Sequence, residues 1–518
     1  MDAVLSPPEA RQELHPHRWL ILGFVGLAQL MVILDATIVN VAMPSIQRSL
    51  GFSNVDRQWL ITAYSLAFGS LLLLGGRLSD LIGRKTTLQV GLVGFAFASA
   101  LGGASQSFEM LVIARAIQGA FGAVLAPAAL AMVTTTFTDT KERGKAFGIY
   151  GSIAGAGAAI GLLLGGILTQ YLNWRWTLYV NLIFAAVTFV GVQVLIKRER
   201  GVARGGLDLL STALVSGGLF AIVYGLSHAA TVATGATGNV TLATAFNNAT
   251  TIGCVVGGIL LVGLFAYRQT RIAKPMLPMP VVTDRARGGS FLSILLAAAA
   301  MFSVFLFLTF YLQTVLGYSP VKAGLAFLPM VVVLSATAAT ASTKLLPRLG
   351  PRPLTPTGMA LGVLGMIWFT HLKVGGSYAT EVLPGLLISG MAMGLVFATS
   401  MNTATYRVPP EYAGAASATV NVTQQVGGSI GTALLSTVSL AAAASALMTS
   451  LARNPHATPQ AALALQLHAE VHGWTVAFWW AAGLFAIGAV ASALILPSGR
   501  PVPVQFGAVS AAPELVPA

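Results

Sequence analysis

The sequence predicts an all-helical membrane protein made of two similar six-helix sets with two further helices between them. Three observations carry that reading: a composition too apolar for a soluble domain, fourteen apolar runs of membrane-crossing length, and a repeat relating the first half to the second.

Of the 518 residues, 55% are hydrophobic and 9% charged, with a mean hydropathy of +0.78. So few charges could not wet the surface of a soluble fold of this size. A hydrocarbon core of ~30 Å takes ~20 residues of helix to cross. Runs of that kind recur at 19–43, 57–76, 86–106, 109–133, 144–171, 175–196, 207–229, 249–268, 288–315, 322–346, 354–372, 380–405, 414–444 and 474–496.

An even number of spans puts both termini and every second loop on one side, and basic residues should collect there when that side is cytoplasmic. Of the 29 Lys and Arg, 22 fall on that side. Six fall on the other (Arg48, Arg57, Arg175, Lys322, Lys373, Arg453), and Arg115 lies inside a span. The net charge of +13 is thus spread over short loops, where it orients the chain and meets anionic membrane lipid. No basic domain exists that would bind nucleic acid. The first apolar run is too long for a signal-peptide core and is expected to stay as the first span. Cys254 is the single cysteine, so no intramolecular disulfide forms.

Two basic loops, KRERGVARGG (197–206) and YRQTRIAKPMLPMPVVTDRARGG (267–289), bracket two spans. The expected organisation is a cytoplasmic N-terminal tail (1–18), a first six-helix bundle (19–198) and two additional helices (199–270). A cytoplasmic loop (271–287), a second bundle (288–496) and a cytoplasmic C-terminal tail (497–518) follow. IQRSLGFSNVDRQWL (46–60) aligns with LQTVLGYSPVKAGLA (312–326), and RLSDLIGRKTTL (77–88) with KLLPRLGPRPL (344–354), at nearly one offset. Parallel repeats of this kind place substrate between the halves near mid-membrane.

The turn GRLSDLIGRKTTL (76–88) combines Gly76 and Gly83, which permit a tight turn, with Asp80, Arg84 and Lys85, a charged set able to clasp two helices in one conformation. At this loop the chain resembles the major facilitator superfamily, whose members carry G-x-L-(A/S)-D-x-x-G-R-K after span two. Other stretches resemble its fourteen-helix drug:proton antiporter branch, the EmrB/QacA subfamily: LDATIVNVAMP (34–44), RAIQGAFGA (115–123), WRW (174–176) followed by Asn181, and NVTQQVGGSIG (421–431). GAGAAIGLLLGG (155–166) is similar to the antiporter motif of span five, with Leu162 where the family has proline. Its Gly157, Gly161, Gly165 and Gly166 are expected to seat another helix closely. The resemblance implies the major facilitator fold, a monomer, and transport by alternating access.

A carboxylate inside a span costs about 2.5–3.5 kcal/mol on insertion scales and is kept for a partner or a task. With Pro44 marking the outer end of span one, Asp35 lies about 13 Å deep and Arg115 about 9 Å, at 1.5 Å per residue. The two are therefore natural partners, with Gln118 one turn from Arg115. They are the expected proton-coupling residues: a proton neutralises Asp35, the Arg115 contact loosens, and the halves rock. One proton moving down ~150 mV releases about 3.5 kcal/mol, so no nucleotide is needed, and no G-x-x-x-x-G-K-(S/T) occurs.

The candidate substrate cavity takes the polar and aromatic residues that spans cannot show to lipid: Asn40, Tyr64, Gln118, Asn181, Phe305, Tyr311, Asn402, Asn421, Gln424 and Gln425, with Gln29 and Phe310 beside them. Met301 stands at the repeat position of Asp35, so a small lipophilic substrate, neutral or singly charged, is expected rather than a divalent cation. His468 and His472 have i, i+4 spacing but lack further ligands, so neither a metal nor another cofactor is expected. Asn239 and Asn248 head glycosylation sequons. Clustered His, Cys or carboxylates that would make an enzyme are missing, and tails this short leave no room for a sensor domain. The expected function is proton-coupled export of lipophilic drugs or an antibiotic-like metabolite, with facilitated diffusion or uptake on the same fold as the alternative.

Overall fold

The computed structural model describes residues 16–137, 140–196, 208–235, 246–273, 275–406, 408, 413–456 and 458–497. Among these, fourteen helices have 19 residues or more. They are α1 (Arg18–Leu50), α2 (Gln58–Ile82), α3 (Arg84–Gly103), α4 (Phe108–Thr136), α5 (Thr140–Tyr171), α6 (Trp176–Leu195), α7 (Leu209–Gly235) and α8 (Ala249–Gln269). Then come α9 (Arg285–Phe310), α10 (Pro320–Thr340), α11 (Pro351–Phe369), α12 (Leu383–Thr405), α13 (Ala413–Arg453) and α14 (Pro459–Ile495). Among the described residues twelve helices are long and apolar enough to cross a membrane; α5, whose apolar stretch is Ala159–Tyr171, and α11 are not among them.

Local chemistry sets the ends. Ser107, Ser319 and Thr458 each accept a bond from the backbone N–H three residues on, and Pro320 and Pro459 follow their caps at the first helical position. Three boundaries differ from the sequence expectation. Pro44 does not end α1, which runs on to Leu50 because one missing N–H and a mild bend are tolerated in a packed helix. Asp35 accordingly stands about fifteen residues before the end of its helix rather than the nine counted to Pro44. Helices α13 and α14 also extend well into the segment expected as an outer loop, since no Gly or Pro interrupts Ser436–Arg453 and Thr458 caps the next helix early.

The repeat is visible in the packing. In the first set α1 packs on α4, α5 and α6, α4 on α2 and α3, and α3 on α6. In the second set α9 packs on α12, α13 and α14, α12 on α10 and α11, and α11 on α14, the same pairings in the same order. The aligned turns also match in backbone: Gly51 and Gly317 have φ of 68° and 65°, and Gly83 and Gly350 have φ of 90° and 76°. Positive φ is open to glycine at no steric cost, which is why both copies of each turn carry it.

The two sets meet along α2–α13 and α5–α10. At the end that carries Gly51 they are closed. Gln313 Nε2 donates to the Val41 carbonyl at 2.8 Å, and Asn54 Nδ2 to Glu470 Oε1 at 3.2 Å. The Val321 N–H donates to Gln170 Oε1 at 3.3 Å, and the Arg57 guanidinium lies 4.2 Å from the centre of the Phe310 ring. A continuous apolar core joins Leu34, Ile38 and Ile46 to Met301, Phe307 and Trp474 there. Toward the Gly83 end, Met401, Asn402 and Asn421 stand exposed.

Glycines set the closeness of α5. A Cβ on Gly161 would run into Thr37 and the Leu34 backbone; one on Gly165 would meet Ile38, and one on Gly157 would press on Ile33. Gly166 faces the other way, onto the Pro320 and Val321 backbone, while Gly324 of α10 abuts the Leu162 carbonyl. One helix is thus clamped between α1 and the opposite half.

The additional helices α7 and α8 pair with each other, and α7 lies along α2 and α13, with Thr437 Oγ1 donating to the Leu226 carbonyl at 2.9 Å. Asp208 caps α7 and ties it to α8 through Arg268 at 3.1 Å. Burial works against Asp208 ionising, but bonds from Ser211 and Arg268 outweigh it and hold its carboxyl below the ordinary 3.8.

Two outcomes are expected. Gly161→Ala should lower thermal stability in detergent by about 1–3 kcal/mol by forcing α1 and α5 apart, whereas Gly257→Ala, which meets nothing within 4 Å, should be neutral or slightly stabilising. Asp208→Asn should cost about 1 kcal/mol or less at neutral pH. A depressed folded pKa gives stability above the unfolded value that is lost as pH falls through the folded one, so the two proteins should become equally stable well below pH 3.8.

Candidate functional site

Five helices of the first set converge on Asp35. Arg115 Nη1 donates to Asp35 Oδ2 at 2.5 Å, and Gln118 Nε2 and Asn181 Nδ2 donate to Oδ1 at 2.7 and 2.8 Å. Arg115 Nη1 also reaches Gln118 Oε1 at 2.6 Å, while its Nε donates to the Leu60 carbonyl at 3.2 Å. Its guanidinium lies over the Tyr64 ring, 4.3 Å from the centre. Ser99 Oγ accepts from Gln118 Nε2 at 2.7 Å and from Asn181 Nδ2 at 3.3 Å.

Local sequence explains the convergence. The i, i+3 spacing of Arg115 and Gln118 puts both on one face of α4, and α4 approaches α2 closely because Gly119 meets the Tyr64 carbonyl and Gly75 meets Ala123. No member of the network is more than 2% exposed. In such surroundings each charge depends on its partner, because desolvation alone costs several kcal/mol per ion.

The predicted cavity residues divide. Gln118 and Asn181 sit on Asp35, and Tyr64 beneath Arg115, all sealed within the first set. Asn40 is buried with Oδ1 unpaired. Tyr311 is turned into the second set: its hydroxyl lies 2.8 Å from the Lys373 carbonyl and 3.0 Å from Glu381 Oε2, either of which can accept its single proton, the partner that a buried phenol requires. Phe305 is partly buried beside Phe327. Asn402 and Asn421 are exposed, and Gln424 and Gln425 are partly buried on α13, where Gln425 packs against Gly69 of α2. Gln29 accepts from the Tyr150 hydroxyl at 2.8 Å.

At the expected clasp, Lys85 Nζ donates to the Gln193 and Ile196 carbonyls at 3.0 and 2.5 Å, closing the end of α6. The Asp80 side chain lies outside the described residues. Close helix contact falls on Gly75 rather than Gly76, which has room to spare. His468 and His472 are exposed on α14, and no cluster of three metal-binding side chains occurs among the described residues. Asn239 lies outside the described residues, and Asn248 caps α8.

Three residues escaped sequence reasoning. Ser99 is one small hydroxyl among many in apolar runs, and only packing singles it out. Arg57, expected in a loop, is 4% exposed on Phe310; burial pushes its guanidinium down to about 10, against the pull of Glu470. Glu381, beside Tyr311, is 8% exposed with Lys373 Nζ at 3.5 Å.

The sequence profile of the Major Facilitator Superfamily matches residues 25–432. The chain belongs to that superfamily. It is 43% identical over 515 residues to a puromycin resistance protein of Streptomyces alboniger, covering 99% of this chain and 98% of that one. It is 37% identical to a cephamycin export protein of Amycolatopsis lactamdurans, over 79% of this chain and 83% of that one. Among solved structures it resembles a bacterial homologue of the human lysosomal transporter Spinster in an inward-facing, unoccupied conformation, with a TM-score of 0.63 at 17% identity. That match covers 93% and 97% of the two chains and speaks to fold. This superfamily member is a multi-span membrane transporter of small molecules and not an enzyme.

Removing one charge should cost more than removing both. Asp35→Asn should destabilise by ~3–5 kcal/mol, because Arg115 is left buried without its counter-ion; Asp35→Asn with Arg115→Met should recover most of that loss. Thermal unfolding of the three proteins in one detergent checks the order.

Proposed function

We propose that this chain exports lipophilic, antibiotic-like molecules in exchange for protons, by alternating access across the plasma membrane, with both termini in the cytoplasm and the monomer as the working unit. The observation that carries the proposal is the fully buried Asp35–Arg115 pair with Gln118, Asn181 and Ser99 around it, a titratable contact at the centre of one half. The export and resistance functions in the names of its relatives support the direction of transport. The excess of bases at the Gly83 end supports placing that end in the cytoplasm, which would make the closed Gly51 end the outer one. An even number of crossings, twelve by length and apolarity or fourteen if α5 and α11 also cross, fits both termini on one side.

Asp35 links the proton to the motion through its helix. Helix α1 bears the carboxylate at mid-length and packs on α5, α9 and α10 at the closed end. A proton on Asp35 removes the charge that holds Arg115, freeing α1 from α4 and altering the fit of α1 against the second half. Substrate entering between the halves from the cytoplasmic side would meet exposed Asn421 and Asn402, partly buried Gln424 and Gln425, and Phe305. The second half offers Met301 at the repeat position of Asp35, which favours neutral or singly charged ligands.

Purified protein in vesicles with an imposed proton gradient tests the reading. Lipophilic antibiotics should accumulate at the expense of the gradient, faster at the larger of two pH differences. Asp35→Asn should abolish gradient-driven accumulation while leaving exchange of labelled substrate within tenfold of the parent. Substrate movement indifferent to the gradient in the parent would assign the chain to facilitated diffusion.

A further inference from the structure

The proline-rich connection between the additional helices and the second half is bound at both of its ends. Where it leaves α8, Gln269 is 2% exposed and donates through Nε2 to Ser211 Oγ of α7 at 2.8 Å. Its Oε1 accepts the backbone N–H groups of Met276 and Leu277 at 2.8 and 3.2 Å, which folds the chain back against the base of the α7–α8 pair. There Met276 and Leu277 pack on the apolar cluster of Val215, Leu219 and Phe265 with Val426 and Ala433 of α13. Further on, Met279–Thr283 forms one turn of helix whose Val281, 1% exposed, is buried with Phe291 and Ile294 of α9, Ala404 of α12, and Ala416 and Val420 of α13. Arg287 of α9 donates to the Pro280 carbonyl at 2.9 Å, and Asp284 caps α9 by accepting from the Arg287 N–H at 3.0 Å. A Cβ on Gly288 would run into the Val282 carbonyl.

The α7–α8 pair is held to its two neighbours in different ways. Toward the second half it has directed bonds: those of the connection, and Thr437 Oγ1 of α13 on the Leu226 carbonyl of α7 at 2.9 Å. Toward the first half, among the described residues, contact is apolar and without a side-chain hydrogen bond or ion pair. Leu66 and Leu73 of α2 enter the shared cluster, and the Trp59 ring lies 6.4 Å from that of Tyr224. In lipid the difference is one of cost. An apolar contact between helices is exchanged for contact with acyl chains at little loss, because the bilayer offers no hydrophobic drive for it. A buried polar group pulled from its partner is left stranded.

We infer that the additional helices belong mechanically to the second half: through Gln269 and Val281 the connection fastens α7–α8 to α9, α12 and α13, and the pair travels with them while α2 slides along its apolar face. The proline-rich loop is therefore a strap, not the slack between two moving halves. Gln269 is its positioning residue, because one side chain satisfies two backbone donors that the loop leaves without a helical partner. This rests on the alternating-access reading above, but the fastening can be measured with no substrate present.

Cys254→Ala gives a background free of native cysteine. Spin labels placed in pairs at Leu264→Cys on α8, Val190→Cys on α6 and Val490→Cys on α14 read the geometry by electron–electron distance measurement. The parent residues are 51%, 60% and 61% exposed, each five residues before the Gly83-side end of its helix. In bilayer nanodiscs at two pH values, with and without Asp35→Asn, the α8–α14 distance should stay the same while the α8–α6 and α6–α14 distances shift together by several ångström. An α8–α14 distance that shifts while α8–α6 holds overturns the inference. Gln269→Leu should speed amide hydrogen exchange at Met276 and Leu277 by about tenfold, the order expected for one lost hydrogen bond, and should widen the α8–α14 distribution. Gln269→Glu, which keeps the acceptor oxygen, should leave both near the parent. No change of either in Gln269→Leu also overturns the inference. If that variant does not fold, the three distances in the parent background decide. Should all three distances stay fixed throughout, alternating access fails as the reading of this chain, while amide exchange and the width of the α8–α14 distribution still report on the strap.

Discussion

A single ion pair organises the first half of this protein. Asp35 and Arg115 are out of reach of water and lipid, so each is tolerable only while the other is in place. That requirement explains the neighbours. Gln118 and Asn181 supply donors for the remaining carboxylate lone pairs, Ser99 accepts from both, and the Leu60 carbonyl and Tyr64 ring take up the rest of the guanidinium. Five helices are thereby held at fixed rotation about one point. A change in the charge of Asp35 cannot stay local, because every group around it is chosen for an anion.

Around that point the architecture serves close approach. Glycines at 75, 119, 161 and 165 bring backbones together within the first set, and Gly166 and Gly324 do the same between the halves. Lipid provides no hydrophobic drive for helices to associate, so contact must come from fit and from polar groups. Helices of the first half accordingly approach most closely around the charge pair, while the side-chain hydrogen bonds described between the halves gather at the Gly51 end.

Much of this was legible along the chain. Hydropathy marked the helices, the Leu-Gly-aromatic-Ser turn marked the repeat, and Asp35 with Arg115 stood out because ionisable groups in spans are costly. The failures are equally physical. Pro44 looked like a terminus, yet α1 continues because the surrounding protein accommodates one lost hydrogen bond. Tyr311 looked like a cavity wall, yet its hydroxyl found Glu381 inside the second set. Ser99 carried no signal, since a hydroxyl in a membrane helix is common and only its neighbours give it a role.

The sequence by itself determined the solvent of this protein, its helical class, its twofold repeat and the identity of its one deeply placed charge pair. Those properties depend on composition and spacing within single segments, and the energy of placing each segment in lipid is nearly additive along the chain. The tertiary structure decided which polar groups reach Asp35, that the halves close at the Gly51 end, and that α7, paired with α8, lies along α2 and α13. These depend on how each helix is rotated about its axis against neighbours distant in sequence, and packing among many helices settles that at once.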